Sequence, residues 1–430
     1  MSFTKKTVKD LDVQGKRVLV RVDYNVPLDS KGQITDDYRI KKSLPTIEYL
    51  LSQNCTVILC SHLGRPDGKR DLKYTLKPCG ERLSELLNKP VDFAENCIGE
   101  ETQKKVSQLQ PGQILMLENV RFHKEEEAND EAFAKQLAAY GDVFVQDAFG
   151  VVHHAAVSVS EIPKHTLAVA GLLLETEVDT ISSVMENPNR PLMAVVGGSK
   201  IEDKIDILNR LIDIADVVAV GGAMANTFLL ASGISIGKSK ADPDEVPLAK
   251  QILAKAKQKA KDHHFVFYLP QDGVVAESVD KNARTRIVDW DAHVIASIEN
   301  YPKVPKRETS EVAEDELILD VGPFSGAFIA GAMQLANTVI WNGALGVTEI
   351  IGSQGPVGPF AHGTETLVDA MLGEFGHKPF TVLGGGDTVA YVEDRKLTAS
   401  FDHVSTGGGA SMELMSGNLL PGVEALQNKE

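Results

Sequence analysis

The sequence contains few cysteines and no long hydrophobic run, and both absences exclude classes of protein. Its 430 residues include four cysteines, which lack the Cys-x-x-Cys spacing of zinc and redox motifs. We expect Cys55 and Cys60, which flank the apolar run TVIL, to be reduced and buried. No apolar stretch is long enough to span a bilayer and no signal peptide opens the chain, so we expect a cytoplasmic location.

A surplus of basic residues is also missing. The chain has 44 lysines and arginines against 60 aspartates and glutamates, a net charge of −16. Such a charge excludes a general binder of nucleic acids or anionic membranes, because their phosphates repel an acidic surface. The length suffices for two domains with sizeable cores.

Two glycine-rich stretches near the end of the chain point to phosphate binding. The apolar runs 380–383 and 401–405 each lead into three glycines, and helix-forming residues follow at Asp387 and at Ala410. Glycines between a strand and a helix let backbone N–H groups approach an anion at the positive end of the helix. A single triplet would more often be an ordinary tight turn, but two in tandem favour a polyphosphate site. Asp387 is suited to hold its Mg²⁺.

The first half of the chain repeats an apolar strand, a polar loop and a helix. Strands are predicted at 16–22, 56–60, 114–117 and 142–145, which indicates a parallel sheet with helical crossovers. Ligands of such sheets collect beyond the carboxyl ends of the strands. The polar residues predicted there are Asp23, Asn25, Arg39, His62, Arg65 and Arg121. One arginine alone would more often be a surface ion-pair partner, but three at successive strand exits predict an anionic small molecule.

The second half repeats the pattern with glycine-rich strand exits. Strands are predicted at 192–196, 217–220, 265–269 and 338–341, and the acidic segment before Pro191 marks the expected domain boundary. Lys200 and Lys204, four residues apart, are predicted to share one face of the helix after Gly198 and to contact phosphate. Residues 233–239 resemble a P-loop but are one residue short and follow a helix-like run, so we reject them as such a site.

Residue chemistry then suggests phosphoryl transfer from a nucleotide to an anionic acceptor. The sequence shows no Ser–His–Asp arrangement, no cysteine nucleophile and no convincing catalytic base. A carboxylate acceptor needs no base because it is already ionised at neutral pH, whereas a hydroxyl acceptor normally uses an aspartate. Asp23 could still serve as that base, so both acceptors stay open at this point. Catalysis would rest on alignment and charge neutralisation.

These residues lie in motifs that resemble the phosphoglycerate kinase family over nearly the whole chain. The matching stretches, in family order, are RVDYNVP (21–27), ITDDYRI (34–40), SHLGRPDG (61–68), LENVRFHKEEE (117–127), QDAFG (146–150), VVGGSKIEDKI (195–205), WNGALGV (341–347), LGGGDT (383–388) and HVSTGGGASMEL (403–414). The resemblance implies two Rossmann-like α/β domains, each a parallel sheet flanked by helices, with an interdomain hinge and cleft. It implies a triose-binding domain over 1–186, a nucleotide-binding domain over 187–410, and a C-terminal segment over 411–430 that returns to the first. The implied protein is a monomer.

The resemblance also assigns roles to residues. The six strand-exit residues named above, with His154, would bind 3-phosphoglycerate or 1,3-bisphosphoglycerate. Arg39, Lys200, Gly408 and Gly409 would stabilise the phosphoryl group in transfer. ATP or ADP, as co-substrate, would be held by Gly198, Lys200, Lys204, Gly222, Asn342, Glu349, Gly385, Gly386, Asp387 and Thr388, with Asp387 carrying Mg²⁺. The implied reaction is reversible phosphoryl transfer from 1,3-bisphosphoglycerate to MgADP, in domains that close around the substrates.

Some positions depart from the family pattern. After QDAFG the family usually reads T-A-H-R-A-H-A-S, whereas His154 here replaces the arginine and Ala156 replaces the second histidine. Ala344 replaces a proline, and His362 stands where lysine or arginine is usual. Histidine cannot form a bidentate fork, so triose binding should be weaker. Because His154 replaces the usual arginine, the alternative is a diverged, weakly active or inactive nucleotide-binding paralogue with an interaction or regulatory role. An NAD enzyme is disfavoured because no strand leads into G-x-G-x-x-G with a following acid.

Overall fold

The computed structural model describes residues 3–290, 295–296, 310–352 and 357–429. The chain groups into two compact units. The first comprises Met1–Ser182, Gly409–Leu414 and Asn418–Glu430, and the second comprises Ser183–Gly408 and Met415–Gly417. No helix in the described ranges is long and apolar enough to cross a membrane.

The first unit is built on a six-stranded parallel sheet. Its strands are β1 (Arg17–Arg21), β2 (Thr56–Cys60), β3 (Val91–Ala94), β4 (Ile114–Leu117), β5 (Val143–Gln146) and β6 (Leu167–Ala170), in the spatial order β3-β4-β2-β1-β5-β6. Strands β2, β4 and β5 are buried at every position, as expected for a parallel sheet with both faces covered. The four strands predicted here are confirmed within two residues. The edge strands β3 and β6 were not predicted.

Helices cover the faces of this sheet. They are α1 (Tyr38–Ser52), α2 (Lys77–Leu87), α3 (Glu100–Gln108), α4 (Lys124–Glu127), α5 (Glu131–Ala138) and α6 (Leu172–Glu186). The apolar faces of α1 and α2 pack with β1 and β2 in one core that includes Ile40, Ile47 and Leu83. All four cysteines are buried free thiols, which confirms the expectation for Cys55 and Cys60.

The second unit has a larger sheet whose strand order places a ligand crevice at its centre. Its strands are β7 (Leu192–Val196), β8 (Val217–Val220), β9 (Val266–Tyr268), β12 (Ile295–Ala296), β14 (Thr338–Asn342), β15 (Phe380–Gly384) and β16 (His403–Val404). The order is β12-β9-β8-β7-β14-β15-β16, and β12 alone among these described strands runs antiparallel to its neighbour. Without β12 this is the 3-2-1-4-5-6 order of dinucleotide-binding folds, whose switch point lies between β7 and β14.

A second, three-stranded antiparallel sheet in this unit was not predicted. It consists of β10 (Asp272–Ala276), β11 (Arg286–Asp289) and β13 (Leu317–Val321), in the order β11-β10-β13. No strand was predicted between residues 269 and 338. A register shift between Val274 and Val275 interrupts the pairing of β10 with β13, so the regular alternation expected of an antiparallel strand is broken there.

The helices that follow α6 continue the numbering in chain order. They are α7 (Ile205–Ile214), α8 (Gly222–Ala231), α9 (Val246–Asp262), α10 (Pro323–Met333), α11 (His362–Leu372), α12 (Gly386–Asp394), α13 (Gly408–Ser416) and α14 (Pro421–Glu424). The P-loop-like residues 233–239 lie in turns between α8 and α9 and follow a helix rather than a strand. The structure thus agrees with their rejection as a Walker site.

The end of the chain pairs with its beginning inside the first unit. The Lys6 N–H donates to the Gln427 carbonyl at 2.7 Å, and the Lys429 N–H donates to the Thr4 carbonyl at 2.7 Å. The Gly422 N–H donates to the Val152 carbonyl at 2.9 Å. These backbone bonds fasten α14 next to the loop that carries His153 and His154.

Candidate active site

In the first unit, polar side chains from three strand exits meet at one end of the sheet. Asp23, just beyond β1, accepts a hydrogen bond from Arg39 Nη1 at 2.9 Å. The same nitrogen donates to the Asn25 carbonyl at 3.2 Å, and Asn25 Oδ1 accepts from the Gly64 N–H at 2.9 Å. Burial alone would raise the pKa of Asp23, but the positive charges of Arg39 and neighbouring groups outweigh it and lower the pKa. Asp23 is therefore a buried, paired carboxylate.

Beyond β2, His62 is almost fully buried, and Arg21 from β1 contacts its ring. His62 is 3% exposed and Arg21 is 2% exposed. Arg21 Nη2 lies 3.2 Å from His62 Nδ1. Burial, reinforced by the charge of Arg21, holds the pKa of His62 well below its usual value. His62 is thus a neutral imidazole at physiological pH.

Beyond β4, Arg121 reaches the loop that carries Arg65. Its Nη1 donates to the Gly64 carbonyl at 3.1 Å and its Nε pairs with Glu127 at 3.2 Å. Burial is the largest cause of a lowered pKa at Arg121, and the charges of Arg21 and Arg65 add to it. Arg65 itself is exposed. The structure therefore brings together the cations that the strand exits predicted.

A buried polar chain behind this cluster was missed by the sequence analysis. Arg21 Nε donates to Ser158 Oγ at 2.7 Å. The Ser158 hydroxyl donates to Glu126 Oε1 at 2.5 Å, and the Ser158 N–H donates to Glu126 Oε2 at 3.0 Å. Burial raises the pKa of Glu126, and the Arg21 charge opposes that shift. In the sequence, the sign of this hydrogen-bonded network was Arg21, a charged residue directly after the apolar run 18–20.

His154 is exposed, and its ring lies against that of His153. The two ring centroids are 3.8 Å apart, at an interplanar angle of 41°. Burial first, and then the nearby His154, lowers the pKa of His153 to about 4. A Cβ added at Gly409 would lie 2.6 Å from His153 Nε2, so His153 packs against the glycine-rich start of α13.

In the second unit, glycine loops from neighbouring strand exits pack directly on one another. Gly222, at φ +67°, is so placed that a Cβ would lie 2.7 Å from the Gly198 nitrogen. A Cβ at Gly408 would lie 2.7 Å from the Gly386 nitrogen, and Gly385 has φ +90°. Backbone on both sides of these contacts leaves no room for side chains. The loops therefore present peptide groups, as expected of a phosphate-binding surface.

Lys204 and Asn342 meet at the centre of these loops. Lys204 Nζ donates to the Asn342 carbonyl at 3.2 Å and also to Asn342 Oδ1. Because lysine can only donate, the amide oxygen faces Lys204, and the buried Asn342 Nδ2 has no acceptor among the described residues. Burial lowers the pKa of Lys204 to about 8, although Asp387 and Asp203 oppose the shift. Thr388 Oγ1 accepts from the Gly343 N–H at 2.6 Å and fixes the adjoining loop.

A cavity of about 330 Å³ opens beside these groups. Gly198, Gly222, Asp387 and Glu349 are among the residues that line it. Asp387 lies in the first turn of α12 and is exposed. No group of three or more metal-binding side chains exists among the described residues.

The helix-face argument for Lys200 and Lys204 was wrong. Lys200 lies in a loop, Lys204 ends a short 3₁₀ turn at Glu202–Lys204, and α7 begins only at Ile205. Glu245 caps this turn by accepting the Ile201 and Glu202 N–H groups, each at 3.0 Å. The exposed Lys200 shares no helical face with Lys204.

The remaining predicted residues lie at the ends of the same loops. Gly386 begins α12, next to Gly385, whose positive φ favours glycine. Gly408 and Gly409 form the first turn of α13. Every predicted nucleotide residue thus lies at a carboxyl-terminal strand end or in the loop or helix start that follows it.

Comparisons with known proteins agree with this geometry. The family model for phosphoglycerate kinase matches residues 8–418. A phosphoglycerate kinase of Chloroflexus aurantiacus is 45% identical over 430 residues, covering 100% of both chains. One of Pelotomaculum thermopropionicum is 44% identical over 427 residues, covering 99% of this chain and 100% of that one.

Solved structures show the same fold. The phosphoglycerate kinase of Coxiella burnetii is 37% identical, with a TM-score of 0.79 over 98% of each chain. That of Pyrococcus horikoshii OT3 is 28% identical, with a TM-score of 0.80 over 98% of each chain. These findings confirm two parallel-sheet α/β domains flanked by helices and give no support to a diverged, inactive paralogue. The chain belongs to the phosphoglycerate kinase family, the phosphotransferases that act on a carboxyl group and interconvert 1,3-bisphosphoglycerate plus ADP with 3-phosphoglycerate plus ATP.

Proposed function

We propose that each unit binds one substrate of this reaction, the first by side-chain cations and the second by backbone. The main support for this proposal is that the polar residues of the first unit and the glycine loops of the second both lie at the carboxyl ends of their own parallel strands, where such folds bind ligands. The clusters differ in chemistry. Guanidinium and imidazole groups dominate the first, whereas peptide groups of glycine loops dominate the second.

The triose acid would bind to Asp23, Asn25, Arg39, His62, Arg65, Arg121 and His154. The contacts of Arg39 to Asp23 and Asn25 use Nη1 alone, so the rest of its five-donor fork is available to an anion. Asp23 holds that fork in place. Arg121 is anchored in the same way by Glu127 and the Gly64 carbonyl. Anchored guanidinium groups bind phosphate or carboxylate with little loss of side-chain entropy.

The nucleotide would bind in the second unit. Asn342 Nδ2 is a buried donor without a described acceptor, and a phosphate oxygen would satisfy it. Lys204 would pair with the polyphosphate, while Gly198, Gly222, Gly385, Gly386 and Thr388 shape the loops around it. Glu349 lines the same cavity and would accept hydrogen bonds from the ribose hydroxyls.

Asp387 would hold Mg²⁺ together with the nucleotide phosphates. Its exposed carboxylate at the cavity wall fits an ion that uses few protein ligands. When bound, the ion would neutralise phosphate charge. The protein's own contribution is to present this one carboxylate next to the glycine loops.

The geometry favours a carboxylate acceptor over a hydroxyl. Asp23, the one candidate base, is buried and paired with Arg39, and its pKa is lowered, so it is a poor proton acceptor. A carboxylate needs no proton removal. Arg39, Lys200 and the amides of Gly408 and Gly409 would stabilise the phosphoryl group in transfer. Direct transfer also requires the two substrates to meet, so we propose that the domains (1–186 and 187–410, with 411–430 returning to the first) close around their hinge and cleft.

We further propose a monomeric, cytoplasmic enzyme. Four buried, unpaired cysteines suit a reducing compartment. The monomer follows from the family resemblance of the chain.

Binary titrations test the division between the units. In Arg121→Met, 3-phosphoglycerate affinity should fall on the order of tenfold or more while ADP affinity is kept, because one buried charge-assisted contact is lost. Gly222→Ala should weaken ADP and spare 3-phosphoglycerate, because its Cβ would collide with the Gly198 backbone. Arg70→Met, which breaks an exposed pair with Glu95, is the matched control. Equal losses of both ligands in either variant would contradict the assignment.

A further inference from the structure

We propose that Arg21 is a positioning residue that fixes the tautomer of His62, so that His62 presents Nε2–H to the triose substrate. The proposal rests on the proposed triose role of His62. It concerns the form in which His62 acts, namely as a neutral hydrogen-bond donor rather than as a cation.

The contact between Arg21 and His62 determines which ring nitrogen carries the proton. A guanidinium carries five N–H groups and no acceptor. Because Arg21 Nη2 lies 3.2 Å from His62 Nδ1, that ring nitrogen must offer its lone pair. The single proton of the neutral ring then sits on Nε2. If the ring were protonated, its Nδ1–H would face the Nη2–H of Arg21 inside the protein, and neither group could accept a hydrogen bond.

The other contacts hold Arg21 in this orientation. Nε donates to Ser158 Oγ at 2.7 Å, and Nη1 donates to the Val22 carbonyl and, at 3.4 Å, to Ser61 Oγ. Since Ser158 Oγ accepts from Arg21, its own proton goes to Glu126, 2.5 Å away. The direction of each bond is therefore set, from Arg21 through Ser158 to Glu126. The guanidinium cannot rotate away from His62 without breaking this chain.

The charges around His62 have opposite signs. Those that affect its protonation are Arg21 on β1, Asp23 beyond β1, Arg39 on α1 and Arg121 beyond β4. Asp23 favours the cation, and the three arginines disfavour it together with burial. Removal of Arg21 takes away the largest of these charge effects and the contact to Nδ1. His62 should then titrate closer to the ordinary pKa of about 6.5.

Nitrogen NMR on the ligand-free protein tests the tautomer without any substrate. Histidine-labelled wild-type protein should show a His62 ring protonated on Nε2 alone from pH 5.5 to 8.5, with His62→Gln identifying its signals among the eleven histidines. In Arg21→Met the same signals should show both neutral tautomers and begin to titrate at a higher pH than in the wild type. Arg17→Met, on the same strand with a half-exposed side chain paired to Asp142, should leave them unchanged. A wild-type ring protonated on Nδ1, or titrating in that range, overturns the proposal even if Arg21→Met does not fold.

Kinetics test the consequence. For 3-phosphoglycerate, we divide the KM of Arg21→Met by the KM of the wild type, and we expect this ratio to be about fivefold larger at pH 8 than at pH 5.5. At the lower pH, protonation of the His62 ring in the variant restores a charge-assisted contact to the substrate. Loss of the Arg21 charge alone would raise KM by the same factor at both pH values, and that constant ratio would count against the proposal. If the NMR result holds but His62→Gln leaves KM unchanged, the tautomer stands and the triose role of His62 fails.

Discussion

Lys204 allows a quantitative prediction about nucleotide binding. Its pKa is lowered to about 8 by burial, and its Nζ contacts the Asn342 side chain at the centre of the glycine loops. A bound polyphosphate would favour the charged amine and raise this pKa. Binding should therefore take up a proton wherever the free lysine is neutral, and affinity should fall as pH rises through 8.

The size of this effect follows from the two pKa values. With a pKa of about 8 in the free protein, the amine is about 90% charged at pH 7 and about 10% charged at pH 9. If the bound amine stays charged, the dissociation constant should rise about tenfold between these pH values. Phosphate groups titrate near pH 6, below this window, so the nucleotide itself adds little.

Isothermal titration of ADP at pH 7, 8 and 9 measures this rise, and omitting Mg²⁺ removes the charge of the ion from the comparison. Lys204→Met should bind ADP weakly at pH 7 and show no pH dependence. Lys257→Met, an exposed lysine on α9, should behave as the wild type. A wild-type dissociation constant that is the same at pH 7 and pH 9 would refute the reasoning, because Lys204 would then be fully charged or remote from the phosphates.

Three further predictions concern other residues. His154→Arg should tighten triose binding roughly ten- to a hundredfold, and an unchanged KM for 3-phosphoglycerate would show that another group already fills this role. Burial raises the pKa of Asp147 to about 7, so the native state holds a proton that the unfolded state releases, and stability should fall as pH rises from about 4 through 7. Asp147→Asn should remove this pH-dependent loss of stability. Urea unfolding at pH 8 should then show a gain of up to about 4 kcal/mol in the free energy of unfolding, relative to the difference between the two proteins at pH 4. Asp92→Asn, at an exposed position, should leave the pH dependence of stability unchanged. Asp387→Asn should lower turnover and weaken its Mg²⁺ dependence; an unaltered Mg²⁺ titration would place the ion elsewhere.

The sequence predicted the parallel strands and the residues at their ends, because both follow from local patterns. Apolar runs such as 56–60 are buried at every position, and the polar residues after them gather at one edge. Contacts between distant segments were not predictable in this way. Arg21 and Ser158 are 137 residues apart, and Glu245 caps the turn before α7 from 44 residues away. Nothing in the local pattern around Ile201 shows that another segment will take its N–H.

The two clusters also differ in how they can change. A cation in the triose cluster can be replaced by a shorter side chain, as His154 stands for the usual arginine, at a cost confined to one contact. The glycine loops have no such freedom, because a Cβ at Gly222 or Gly408 would meet backbone nitrogen at 2.7 Å, and backbone cannot move aside as a side chain can. In the proposed triose site single substitutions can therefore change affinity, whereas the proposed nucleotide loops must keep these glycines to keep their shape. Of the departures from the family pattern, His154 and Ala156 belong to the first unit, and neither Ala344 nor His362 in the second unit replaces a glycine of these loops.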